Sequence, residues 1–176
     1  TTSDGFTVRF LEDTNTNLCA NMNSTDDKLV AGAQAGATIA GSTFIKDGVY
    51  AAADCEATNI FQLTRDAATD PFDLFHEDSG SPGNLTGDLS KQYTVSDPTN
   101  CSASPVDIMI FRTRRYFVGQ DQDGNPGLYR QIFDANPNNG NAFEEFAERL
   151  IDGVENMQIL YGEDTSGNRV PNAYLT

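Results

Sequence analysis

The sequence predicts an α+β domain that is mostly β, with an antiparallel sheet, long loops and one short helix. Several short runs alternate apolar and polar residues, which is the period of a half-buried strand. Fifteen Gly, seven Pro and many Asn, Asp, Ser and Thr punctuate those runs with turns. One late stretch instead spaces its apolar residues helically.

Gly5–Leu11 sets Phe6, Val8 and Phe10 against Thr7 and Arg9 and reads as a strand, and Glu12–Asp27 as a polar loop holding Cys19. Leu29–Ile39 is small and weakly apolar and suits a flat strand or a hairpin arm. Asp47-Gly48 signals a turn before Val49–Ala53, and Asn59–Thr64 is a further strand. Asp66–Tyr93 is rich in Asp, Ser, Gly and Pro and reads as a long surface excursion. Val106–Val118 is the strongest strand, with Met109, Phe111, Thr113 and Phe117 on one face. A Gly/Asn/Pro turn at 119–127 joins it to Leu128–Phe133 as an antiparallel hairpin. Asn141 with Glu144 has the form of a capping box, and Phe143, Phe146, Ala147, Leu150 and Ile151 follow at helical spacing to about Asp152. After the Gly153-Val154 corner, Glu155, Met157, Ile159 and Tyr161 alternate against Asn156, Gln158 and Leu160. Gly162 ends that core strand, and the loop Glu163–Asn168 follows.

A chain of 176 residues suits one domain with its own core. The net charge of −15 argues against nucleic acid and against anionic lipid as partners. No run of eighteen apolar residues spans a membrane, and no signal peptide precedes Thr1-Thr2, a start that reads as a trimmed end. Cys19, Cys55 and Cys101 form no CxxC, and His76 is the single histidine, so a zinc site of usual composition is not expected. The cysteines fit one disulfide and one thiol in an oxidising compartment, with three pairings open; three free thiols in a cytosolic chain is the alternative.

Six patterns bear on chemistry. Gly32–Thr38 lacks the lysine and helix of a phosphate-binding loop. Asp78-Ser79-Gly80-Ser81-Pro82 resembles the nucleophile segment of chymotrypsin-like proteases, but the single histidine lies three residues from Ser79 and no distant base exists. Asp121, Asp123 and Asn125 place oxygens at alternate positions, as a calcium loop begins, though no glutamate follows to complete it; Asp164, Ser166 and Asn168 form a weaker version. A polar turn explains the same residues. Carboxylates are too many to single out a glycosidase pair, and no tryptophan offers a sugar platform. Arg112, Arg114, Arg115 and Arg130 gather on the central hairpin, to pair with nearby carboxylates or to meet an acidic partner. Asn23, Asn84 and Asn100 open Asn-X-Ser/Thr triplets, which this composition produces by chance.

Three segments together resemble the type IV pilus minor pilin family PilW. Asp54-Cys55-Glu56-Ala57 followed by Ile60–Thr64 is similar to that family's DCE…FQVT segment. Arg114–Gly119 with Asn125–Arg130 resembles its strand-turn-strand. Leu150–Gly162 is similar to its LVEGVENMQVLYG block. The resemblance implies a single pilin-like globular domain over 1–176, trimmed at both ends. The family's membrane-anchoring N-terminal pilin helix is absent from this chain, as is its last apolar strand. It also implies no enzymatic activity and no cofactor, and a structural role in pilus assembly initiation and in the tip complex. The implied partners are other minor pilins, a large tip adhesin and the major pilin. The implied location is the inner membrane with a periplasmic domain, then the pilus tip outside the cell. The alternatives are a J-type pseudopilin of type II secretion or a secreted calcium- or ligand-binding module. With that last strand missing, the Met157/Ile159/Tyr161 strand would expose an edge for a partner.

Overall fold

The chain is described here from a computed structural model covering residues 3–26, 28–40, 43–67, 69–79, 83–134 and 144–175. It is nearly all β, not α+β; among the described residues the sole helical turn is a 3-10 turn at Cys101–Ala103. The strands are β1 Gly5–Leu18, β2 Leu29–Ala33, β3 Val49–Ala53, β4 Thr58–Gln62, β5 Phe72–Leu74, β6 Asp107–Gln120, β7 Pro126–Asp134, β8 Glu144–Asp152, β9 Tyr161–Glu163 and β10 Ala173–Leu175. Two compact units emerge. The larger holds residues 9–113 and 133–145; the smaller holds 1–8, 114–132 and 146–176.

In the larger unit the strand order is β4-β3-β6-β1-β2-β5. Tyr50 stands opposite Ile110 and Ala52 opposite Ile108, while Leu18 pairs with Ala31 and Leu29 with Leu74. Every apolar side chain buried among the described residues lies in this unit, with Leu18, Phe44, Tyr50, Leu63, Phe72, Tyr93 and Ile108 at its centre. The predicted Glu12–Asp27 loop is strand as far as Leu18. Thr14 and Thr16 point inward there, and Thr14 Oγ1 donates to the Ile108 carbonyl, so β-branched polar residues serve as strand residues. The predicted surface excursion also sends side chains into the core. Phe72, Leu74, His76, Leu89 and Tyr93 are buried, and the Tyr93 hydroxyl donates to Ala52 O at 2.8 Å and accepts from Asn59 Nδ2 at 2.7 Å. Asn84 pairs with the edge of β4 as another strand would: Gln62 N donates to its Oδ1 at 2.7 Å, and its Nδ2 donates to Gln62 O at 2.8 Å.

A disulfide joins Cys19 to Cys101, closing a loop of 82 residues, and leaves Cys55 free and exposed. It lies against β2 at Gly32, where a Cβ would stand 2.8 Å from Cys101 Sγ and closer still to Cys19 Sγ. Only glycine leaves that space.

In the smaller unit β6 continues into β7, and β7 pairs with β8. The β6–β7 connection is too short for a parallel crossover, so the pair is the antiparallel hairpin that its sequence announces. The predicted helix is instead strand β8 over its described part; Asn141 and Phe143 lie outside the described residues. Phe146, Glu148 and Leu150 satisfy a period of two as well as 3.6, and the open edge of β7 decides between them. The predicted Glu155–Tyr161 core strand forms no ladder either. Val154–Leu160 runs outside the strands, held by Asp4 N donating to Met157 O at 3.0 Å and Ile159 N donating to Asp4 Oδ2 at 2.9 Å. Its alternation survives only as exposure, with Met157 and Ile159 half-buried and Gln158 and Leu160 exposed. Strand β9 starts at Tyr161 and pairs antiparallel with β10 as a separate two-stranded ribbon.

Reducing Cys19–Cys101, or replacing both by serine, is expected to cost about 4 kcal/mol from the loop it closes, and Gly32→Ala about 2 kcal/mol from overpacking. Urea unfolding measures both. Unchanged midpoints would contradict the packing described.

Candidate docking surface

Asp121, Asp123 and Asn125 come together at the tip of the β6–β7 hairpin as a turn built around one carboxylate. Asp121 Oδ1 accepts from Asp123 N at 3.0 Å and Asn125 N at 2.8 Å, and Oδ2 accepts from Asn125 Nδ2 at 3.1 Å and Arg149 Nη1 at 2.7 Å. These donors, first of all the Asn125 backbone N–H, hold the Asp121 carboxyl below its ordinary range. Its oxygens face N–H groups and a guanidinium. Arg149 on β8 also bonds Pro126 O at 2.9 Å and passes over Gly127, where a Cβ would meet its Nε at 2.6 Å. Arg130 on β7 pairs with Glu148 on β8. The sequence alone could not show that β8 supplies these partners, because its residues read as a helix.

Asp164 organises the loop between β9 and β10 in the same manner, accepting from Ser166 N at 3.0 Å, Gly167 N at 2.8 Å and Arg169 N. Among the described residues, no three His, Cys, Asp or Glu side chains gather as metal ligands would. His76 is buried in the larger unit, where its Nδ1 donates to Gly87 O at 2.9 Å and its ring packs 5.5 Å from that of Phe61. Asp54 and Glu56, either side of the exposed Cys55, both hold Lys91, at 2.6 and 2.5 Å. The Lys91 hydrogen bond is the main cause that lowers the Asp54 carboxyl. Of the hairpin arginines, Arg112 pairs with Glu12 at 2.5 Å and Arg115 lies 5.6 Å over the Phe117 ring.

Among the described residues no reactive constellation emerges, and the feature that stands out is apolar exposure. Among the described residues of the smaller unit, Gly127 alone is buried. Phe6 and Val8 on β1 stay about 40% exposed, although Phe6 stacks on Tyr116 at 4.9 Å. Leu150 and Ile151 on β8 are exposed as well. In the ribbon, Tyr161 and Tyr174 are each 67% exposed, flanked by Leu160 and Val170. A sheet normally buries at least one face, so a surface of this kind is one that another layer covers.

Residues 115–176, about a third of the chain, match the family model described as Type IV Pilus-assembly protein W. The matched residues include the β7–β8 region and the ribbon; the Asp54–Thr64 segment lies outside the match. Neither a curated protein nor a solved structure matches the chain. Over those residues the chain is similar to a family whose model is described as a type IV pilus-assembly protein.

The depressed Asp121 carboxyl stabilises the fold at neutral pH. That contribution is complete above the unfolded value of about 3.9 and is lost as pH falls through the lower folded value. Carboxyl NMR should find Asp121 titrating below the ordinary aspartate value, and Arg149→Ala should raise it. Titration at the ordinary value would contradict the turn geometry.

Proposed function

We propose, from the likeness of residues 115–176 to the PilW family, that this chain is a non-catalytic minor pilin of the type IV pilus. It acts in assembly initiation and in the tip complex, with other minor pilins, a large tip adhesin and the major pilin as neighbours. The observation that carries this reading is the smaller unit's lack of buried apolar side chains among its described residues. A pilin helix laid on the Phe6 and Val8 face would supply the missing layer and bury side chains worth roughly 1.5–3 kcal/mol each. Such a helix would anchor the subunit in the inner membrane with the folded part in the periplasm, and would enter the filament on assembly. The Cys19–Cys101 bond suits that oxidising compartment.

Its mechanism is templating. Surfaces left open in the free subunit are closed by neighbours, so each addition stabilises the nucleus of the filament. No bond is made or broken in this step. Cells lacking the gene are expected to lose most surface pili and twitching movement, and a plasmid copy to restore both. Normal pilus numbers and movement in the deletion strain would overturn the proposal.

A further inference from the structure

The β9–β10 ribbon is the least self-sufficient part of the molecule. Each strand has three residues, and among the described residues β9 and β10 pair only with each other. A two-stranded ribbon of that size is at best marginally stable in water. Its large side chains bury little: Leu160 is 54% exposed and Val170 60%. Tyr161, directly opposite Leu175, and Tyr174, directly opposite Gly162, stand on opposite faces of the ribbon. The ring of Tyr174 and Pro171 close over Gly162, whose added Cβ would meet Pro171 at 2.8 Å, so the ribbon keeps one shape while remaining uncovered.

Charge then selects the occupant. Residues 152–176 hold Asp152, Glu155, Glu163 and Asp164 against Arg169 alone. Asp164 is bound to its own loop and Asp152 to Arg149 at 2.8 Å, but among the described residues no hydrogen bond or ion pair involves the exposed carboxylates of Glu155 and Glu163. A second copy would bring a further −15 and the same unpaired carboxylates against them. We infer that the ribbon docks a different chain, one presenting an apolar patch bordered by Lys or Arg. The inference rests on the pilus reading and gives it a surface and a partner chemistry.

The test measures binding of this chain to each of the other minor pilins of the same pilus system, full length in detergent, at low and moderate salt. Self-association is followed by sedimentation. Wild type should stay monomeric and bind at least one minor pilin. Tyr161→Ser with Tyr174→Ser should weaken that binding about tenfold or more. Glu155→Lys with Glu163→Lys, which leaves the ribbon's apolar residues intact, should weaken it about tenfold as well and flatten its salt dependence. Binding unchanged in both variants overturns the inference and leaves the pilus reading standing, as does a dimer formed through the ribbon. Failure of wild type to bind any of these minor pilins counts against the pilus reading and removes the inference with it.

Discussion

The bond between Cys19 and Cys101 is the constraint on which the larger unit depends. It fixes the end of β1 to the turn that leads into β6, across a sequence separation of 82. Beside it, Cys19 N donates to Val30 O at 2.6 Å and Leu18 N donates to Val106 O at 2.9 Å, so β1, β2 and the approach to β6 meet at one point. Gly32 is the concession that makes this possible, because any side chain there would displace a sulfur. With that junction fixed, Leu18, Ala31 and Ile108 are buried in one core with Phe72, Leu74, Leu89 and Tyr93.

The two units solve the same problem differently. The larger unit buries aromatic and aliphatic side chains and satisfies its loops internally, with Asn84 on the β4 edge and Tyr93 on Ala52. The smaller one is held by ion pairs and capped turns, Asp121–Arg149 and Arg130–Glu148, around side chains that remain half exposed. Charge is divided just as unevenly. The smaller unit has five Lys and Arg against eight Asp and Glu, giving −3. The larger has six against eighteen, giving −12. Strong negative charge keeps a well-packed unit soluble, whereas apolar exposure at low net charge is what an interface needs.

Most strands were legible from alternation. The β6–β7 hairpin and β3 with its Asp47-Gly48 turn stand where the pattern puts them, because each also carries its own turn chemistry. The errors share a cause, which is that neighbours decide what local pattern leaves open. Phe146 to Ile151 fits both helix and strand, and the free edge of β7 chooses strand. Met157 and Ile159 alternate as a strand should, yet their backbone bonds go to Ser3 and Asp4 and not to a ladder. Phe72-Asp73-Leu74 alternates over only three residues, and Leu89 and Tyr93 stand among polar and turn residues, so little in the local pattern reveals their burial. The cysteine pairing was open for the same reason: separation along the chain says nothing of proximity. The docking surface was legible only in part, through the Leu150–Gly162 resemblance, since exposure of an apolar residue is a property of what fails to cover it.

The proposed role has this chain built into a type IV pilus assembly through surfaces that stay open in the free chain. Quantitative mass spectrometry of sheared, purified pili from cells expressing the gene at its natural level tests it most directly. The account predicts its peptides in the pilus fraction at a small fraction of the major pilin, and their loss from that fraction when Tyr161 and Tyr174 are both replaced by serine. Their absence from wild-type pili, with all of the chain recovered in the soluble periplasm, would contradict it.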